Sequence, residues 1–95
     1  MTYKLEFKDS AHKEWLKLDN SIRQQFKEKL AQRLENPCVP AARLHNMPDC
    51  YKIKLRQSGY RLVYQGDGSR ITVMVLAVGR RDKGAAYEQA RRLLR

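Results

Sequence analysis

Residues 2–8 alternate between apolar and polar side chains. Tyr3, Leu5 and Phe7 fall on one side, and Lys4, Glu6 and Lys8 on the other. A period of two predicts a half-buried strand. Asp9-Ser10 then offers an N-cap, and Ala11, Trp15 and Leu18 recur at i, i+4 and i+7. That is the stripe of a short amphipathic helix. Asp19-Asn20-Ser21 breaks the stripe. Ser21 with Gln24 three positions on makes a capping box for a second helix, whose apolar face is Ile22, Phe26, Leu30 and Leu34. Asn36-Pro37 ends it, because a residue before proline is pushed out of the helical region. Two helices joined this closely form an antiparallel hairpin able to cover a sheet.

Residues 37–49 carry Pro37, Pro40 and Pro48 and read as a loop long enough to hold function or a short irregular turn. From Cys50 the period returns to two. Tyr51, Ile53 and Leu55 face one way, and Lys52, Lys54 and Arg56 the other. After a turn at Gln57-Ser58-Gly59, Tyr60, Leu62 and Tyr64 alternate with Arg61, Val63 and Gln65. A tight turn about Ser58-Gly59 sets Arg56 opposite Arg61 and Leu55 opposite Leu62, with the cations on one face and the aromatic and leucine set on the other. Gly66 to Ser69 is a second turn. Residues 71–78 are apolar on both faces, which places that strand centrally. Gly79 to Gly84 leads away, and Ala86, Ala90 and Leu93 or Leu94 mark a short, basic last helix. The order is β-α-α-β-β-β-α. It predicts one α+β domain over residues 1–95: a mostly antiparallel four-stranded sheet, an N-terminal helical hairpin on one face, and a short C-terminal helix. The opposite face carries Lys52, Lys54, Arg56 and Arg61 and must be wet or occupied.

Charge sharpens this picture. Twenty Lys and Arg oppose ten Asp and Glu in 95 residues, for a net charge of +10 and a pI of about 10.0. Such a field is a footprint for polyanions, nucleic acid first. Residues 1–36 hold eight cations against six carboxylates, a net of +2, and residues 37–95 twelve against four, a net of +8. The longest apolar run, residues 71–78, is well short of the ~20 needed to span a bilayer. The N-terminus has no signal-peptide layout, so a soluble cytoplasmic protein without membrane contact is expected. Cys38 and Cys50 lack metal-ligand spacing and read as two small, half-buried thiols.

Alternate side chains on a strand lie about 6.5–7 Å apart, close to the repeat of phosphates along a single RNA strand. Lys52, Lys54 and Arg56 form a rail with that spacing, and Arg61 widens it. A solvated sheet face usually mixes signs, whereas this one carries four cations and no carboxylate. Nuclease chemistry needs either metal-binding carboxylates or an acid–base pair. Asp49, Asp67 and Asp82 stand singly, so neither a metal nor another cofactor is expected. His12 belongs to the first helix, away from the cationic face. His45, in the loop before the cationic strand, is placed to touch a ligand.

The run Pro48-Asp49-Cys50-Tyr51-Lys52-Ile53-Lys54-Leu55, then Ser58-Gly59-Tyr60-Arg61-Leu62-Val63-Tyr64, Val78-Gly79-Arg80-Arg81 and Tyr87 resembles the RelE family of bacterial toxins. Lys13-Glu14-Trp15 and Leu44-x-x-Met47-Pro48-Asp49 extend the resemblance over nearly the whole chain. It implies a toxin that enters the ribosomal A site and cuts mRNA there. It also implies an antitoxin partner made from the same operon, which holds the toxin inactive. The toxin then reaches operator DNA, as a co-repressor, only through the antitoxin complex. By motif match, Lys52, Lys54, Arg61, Arg81 and Tyr87 form the catalytic set, with Arg56, His45 and Arg80 holding substrate. Two positions depart from the family pattern: His45 stands where relatives often have Arg, and Asn46 where Gly is usual.

RNA carries its own nucleophile, the 2′-OH beside the scissile phosphate. The enzyme must take its proton, hold it in line, neutralise the phosphorane and protonate the leaving 5′-oxygen. An ordinary Tyr is only about 0.1% phenolate at pH 7. Clustered cations favour phenolate and disfavour ammonium, so Tyr87 and Lys54 are both candidates for the base. Arg81 serves charge stabilisation, because guanidinium does not readily lose a proton. The helical-hairpin cations Lys13, Lys17, Lys27, Lys29 and Arg33 either grip ribosomal RNA or form an ordinary solvated surface. Rival readings are a non-catalytic nucleic-acid- or ribosome-binding module and a basic face that docks an acidic protein.

Overall fold

The computed structural model describes residues 2–45 and 47–80. Strand β1 (Lys4–Phe7) leads into helices α1 (Asp9–Leu16) and α2 (Asn20–Glu35). A 3₁₀ turn at Pro40–Ala42 precedes strands β2 (Cys50–Leu55), β3 (Tyr60–Asp67) and β4 (Thr72–Arg80). The four strands form one mixed sheet in the order β1-β4-β3-β2. β4 is central as its two-sided apolar pattern requires. It pairs antiparallel with β3 and parallel with β1. The expected C-terminal helix around Ala86 and Ala90 lies outside the described residues, as do Asn46, Arg81 and Tyr87. Among the described residues no helix is long and apolar enough to cross a membrane.

The main core lies between the helices and one sheet face. Ala11, Trp15 and Leu18 meet Phe26 and Leu30 over Ile53, Leu55, Leu62, Tyr64, Val73, Val75 and Val78. These are the helical stripe and the strand faces read from the periodicities. Phe7, Trp15 and Phe26 form a tilted aromatic row, with centroids 5.2 and 6.2 Å apart. Exposed His12 sets its ring edge against Phe7, so it is a packing residue. The helix starts differ from the expectation. α2 begins at Asn20 with Asp19 as N-cap, and α1 begins at Asp9 with Lys8 as N-cap, neither with a side-chain capping bond. The Ser21–Gln24 box therefore does not form: the backbone carbonyl of Asp19 takes the Arg23 N–H at 2.9 Å, and the helix has already started when Ser21 is reached.

The β2–β3 register also departs from the tight-turn expectation. Lys54 stands opposite Arg61, Leu55 opposite Tyr60, and Ile53 opposite Leu62. The loop spans residues 56–59 rather than two residues, and Arg56 leaves the strand for the turn. Gly59 closes the loop at φ 74, donating its N–H to the Leu55 carbonyl at 2.9 Å. A side chain here would meet nothing within 4 Å, so a substitution costs conformational energy alone. Gly59→Ala is therefore expected to lose about 1 kcal/mol of stability, read as a lowered urea midpoint at unchanged m-value. A gain in stability would show that the loop relaxes out of this geometry. The second hairpin loop, residues 68–71, also closes at positive φ, on Ile71 at 51°. That residue belongs to the turn, not to the strand where its apolar character had placed it. Asp67 shapes this turn, accepting bonds from the Ser69 N–H, the Ser69 hydroxyl and the Arg70 N–H.

The other sheet face is not simply wet. Met47, Cys50, Val63, Leu76 and Ala77 form a second buried cluster, with Leu44 and Met74 packed against it. A bulge between Val63 and Tyr64 shifts the β3–β4 register. It leaves adjacent Leu76 and Ala77 both buried in this cluster. Cys50 is fully buried and Cys38 exposed, so the two thiols are not alike.

Candidate active site

On the face opposite the helices, the cross-strand rows read Lys52–Val63–Ala77 and then Lys54–Arg61–Gly79. The cationic patch begins where the second apolar cluster ends. A two-residue register shift leaves every side chain on its expected face, so Lys52, Lys54 and Arg61 are brought together as the alternation required. Lys54, Arg56, Gly59 and Arg61 line a cleft of about 260 Å³ at the hairpin end. A second cleft, about 760 Å³, runs from Lys52 and Tyr51 to Arg43, His45 and Cys38. His45 thus joins the site through Lys52. A third, about 360 Å³, turns around the β2 edge and adds Lys29 and Arg33 of α2 to Lys52, Lys54 and Arg56. β4 ends at Arg80, whose backbone pairs with Tyr60, one residue along from the Lys54–Arg61–Gly79 row. The roles assigned to Arg81 and Tyr87 fall on residues outside those described.

The loop that carries His45 is held from both ends. The carbonyl of Cys50 accepts the Leu44 N–H at 2.9 Å, and Arg43 bridges Tyr51. Asp49 takes a left-handed φ of 56, a conformation in which Asp is enriched among non-glycine residues.

Electrostatics separate the candidate bases. Lys54 is exposed, and its ammonium is held below the ordinary lysine range. Lys52 is the largest cause, followed by Arg61, partial desolvation, a hydrogen bond with Lys52, and Arg56. Crowded cations disfavour one more positive charge, so Lys54 moves toward the neutral amine. Tyr51 and Tyr64 move the opposite way. A hydrogen bond with Cys38, and burial, push the Tyr51 hydroxyl up to about 12. Burial raises Tyr64 against the opposing pull of Arg33. Neither is poised to be a phenolate.

The sequence matches the family described as ParE toxin of type II toxin-antitoxin system over residues 5–84. It is 50% identical to the mRNA interferase toxin RelE of Escherichia coli K12 over 90 residues, 95% of each chain. The chain belongs to the RelE toxins, within the ParE toxin family of type II toxin-antitoxin systems. The fold agrees. A double-arginine mutant of E. coli RelE in the free state superposes with a TM-score of 0.93 at 46% identity, covering 100% of both chains. The toxin of the intact E. coli RelBE toxin-antitoxin complex matches with a TM-score of 0.81 at 52% identity, over 82% of this chain and 95% of that one.

In this RelE-family chain, two further cations line the site. Arg43 lines the His45 cleft; its only sequence signal is proximity to the cationic strand. Lys29, one of the five hairpin cations expected either to grip RNA or to be solvated, lines a cleft with Lys52 and Lys54. Lys17 instead pairs with Glu14 on the exposed surface of α1. Arg33 lines the same cleft and is also tied into the fold. It turns inward and donates to the Lys52 carbonyl at 3.3 Å and to the Tyr64 hydroxyl at 2.9 Å.

Proposed function

We propose that this chain is the toxin of a type II pair and a ribosome-dependent endoribonuclease. It cuts mRNA in the ribosomal A site by attack of the RNA's own 2′-OH, and so stops translation. The observation that carries this reading is the cationic row around Lys54, which lowers the proton affinity of one amine while presenting charge to a phosphate. Lys54 takes the 2′-OH proton as the 2′-oxygen bonds to phosphorus; the bond from phosphorus to the 5′-oxygen breaks, leaving a 2′,3′-cyclic phosphate, and the 5′-oxygen takes its proton from water. Lys52 and Arg61 hold the scissile phosphate and offset the charge that builds on the phosphorane. Arg56, His45 and Arg80 extend the grip along the RNA. Arg81 stabilises the same charge, and Tyr87 completes the substrate-holding set. The site has a strong field but little enclosure, so positioning of the mRNA falls to the ribosome. A cognate antitoxin masks the protein, and operator DNA is met only through that complex.

Primer extension on an mRNA translated in a purified system tests the activity: breaks within codons at an open A site are expected, with little cutting of free RNA. Intact mRNA at a saturating toxin concentration would leave a non-catalytic basic module in its place. The grip has its own test. Each phosphate contact to a single strand contributes about 0.7 to the slope of log affinity against log salt. Lys52→Ala with Arg61→Ala is expected to flatten the slope for ribosome-bound mRNA by about 1.4. An unchanged slope would mean that the rail faces solvent.

A further inference from the structure

Arg33 sits on α2 at i+7 from Phe26 and i+3 from Leu30, in line with the buried stripe rather than opposite it. It is half-buried. Its guanidinium donates to the main-chain carbonyl of Lys52, on the sheet's edge strand, and to the hydroxyl of Tyr64 on β3. That hydroxyl donates in turn to the Pro37 carbonyl at 2.6 Å. The Tyr64 ring is fully buried and stacked on Tyr51, 5.5 Å between centroids at 23°, and Arg33 lies 5.8 Å from its centre. One chain of contacts therefore fastens the C-terminal turn of α2, the start of the His45-bearing loop, β3, and the backbone of Lys52. These are the parts that set Lys52 against Lys54 and Arg61 on one side and against Arg43 and His45 on the other.

We infer that Arg33 and Tyr64 are positioning residues for RNA cleavage, holding the Lys52 segment of the edge strand at the height the reaction needs. The inference rests on the nuclease reading above. An edge strand carries backbone N–H and C=O groups with no neighbouring strand to pair them; past the Arg43–Tyr51 bridge, the Lys52 carbonyl takes its partner from α2 instead. A guanidinium clamp on the Lys52 carbonyl supplies the missing constraint. Both bonds leave one terminal nitrogen, Nη1, whose two N–H directions are fixed by the flat guanidinium, whereas a Lys ammonium is a rotating point charge on a flexible stem. Tyr64 is buried at the hydroxyl end as well as the ring, so it cannot reach RNA itself; any effect on cleavage passes through what it holds.

The test uses the full chain on purified ribosomes carrying mRNA, with single-turnover rates at saturating ribosome and the apparent affinity measured separately. Arg33→Lys keeps the charge and replaces the fixed N–H directions of Nη1 by a rotating ammonium; Tyr64→Phe keeps the ring and removes the hydroxyl. Each is expected to slow the saturated rate by about tenfold to a hundredfold, as small misplacements of reacting groups do, while affinity changes less than threefold. The double variant is expected to be no slower than the worse single one, because both changes cut one chain of contacts. Thermal unfolding of each variant is followed to set assays well below its midpoint. If Tyr64→Phe does not fold, Arg33→Lys carries the test alone. Wild-type rates in the folded variants would overturn the inference, as would a loss confined to affinity, which would make Arg33 a direct phosphate contact. Absence of cleavage by the wild-type chain would remove the nuclease reading and the inference with it, a result distinct from either.

Discussion

Replacing Lys54 with alanine is expected to slow mRNA cleavage on ribosomes by about a hundredfold or more, the usual contribution of a positioned general base. The pH dependence gives the sharper signature. The ammonium form cannot accept the 2′-OH proton, so the wild-type rate rises as pH climbs through the Lys54 pKa. That pKa lies below the ordinary lysine range, chiefly because of Lys52 and then Arg61, with Arg56 a smaller contributor; Lys29 and Arg33 of α2 line the same side of the edge strand. The rising limb should therefore fall at lower pH than for an isolated lysine. Removing the charge at Lys52 returns Lys54 toward the ordinary value. Lys52→Ala should move the limb to higher pH and reduce the rate most at neutral pH. Single-turnover rates across the pH range, on ribosomes checked for integrity at each point, measure both effects. A Lys54→Ala enzyme that keeps the wild-type limb would shift the base to another group. A limb unmoved by Lys52→Ala would show that the cationic row does not tune it.

The largest stability effect is expected at Phe26. It is fully buried at the centre of the helix–sheet core, with its ring centroid 6.2 Å from that of Trp15. Truncation to alanine removes the ring's burial and leaves a cavity that α2 cannot close without moving, a loss of about 3–5 kcal/mol. Small domains carry about 5–15 kcal/mol in total, so Phe26→Ala should unfold at much lower urea than wild type. With slopes of about 1–3 kcal/mol per molar urea, the midpoint should fall by more than 1 M. α2 also bears Arg33, so loss of packing at Phe26 reaches the Lys52 clamp. Equilibrium urea unfolding measures the effect, and a loss under 1 kcal/mol would mean that the core refills the space.

The periodicities carried most of the architecture. Alternation alone assigned Lys52, Lys54 and Arg61 to one face, and that assignment survived a wrong hairpin register, because a shift of two residues preserves every facing. The two-sided apolar run put β4 in the middle of the sheet. The helical stripe named Trp15, Phe26 and Leu30 as core. Each of these is a local rule, in which the side-chain direction follows from the backbone period.

What depends on distance along the chain was decided only in three dimensions. Whether Arg61 meets Lys54 or Arg56 is set by loop length, and the turn residues Gln57-Ser58-Gly59 suit more than one loop. Val63 was placed on the cationic face, but only the packing of Met47, Leu76 and Ala77 around it shows that part of this face is core. Lys29 and Arg33 read in the sequence as either RNA-gripping or solvated cations, since nothing local says which strand edge α2 will cross. The depressed proton affinity of Lys54 has the same origin: it is a sum over charges on two strands and a turn, and neither strand alone contains it. The sequence determined which residues share a face; the tertiary structure decided which of them lie close enough to act on one another, because Coulomb and hydrogen-bond energies depend on separation in space.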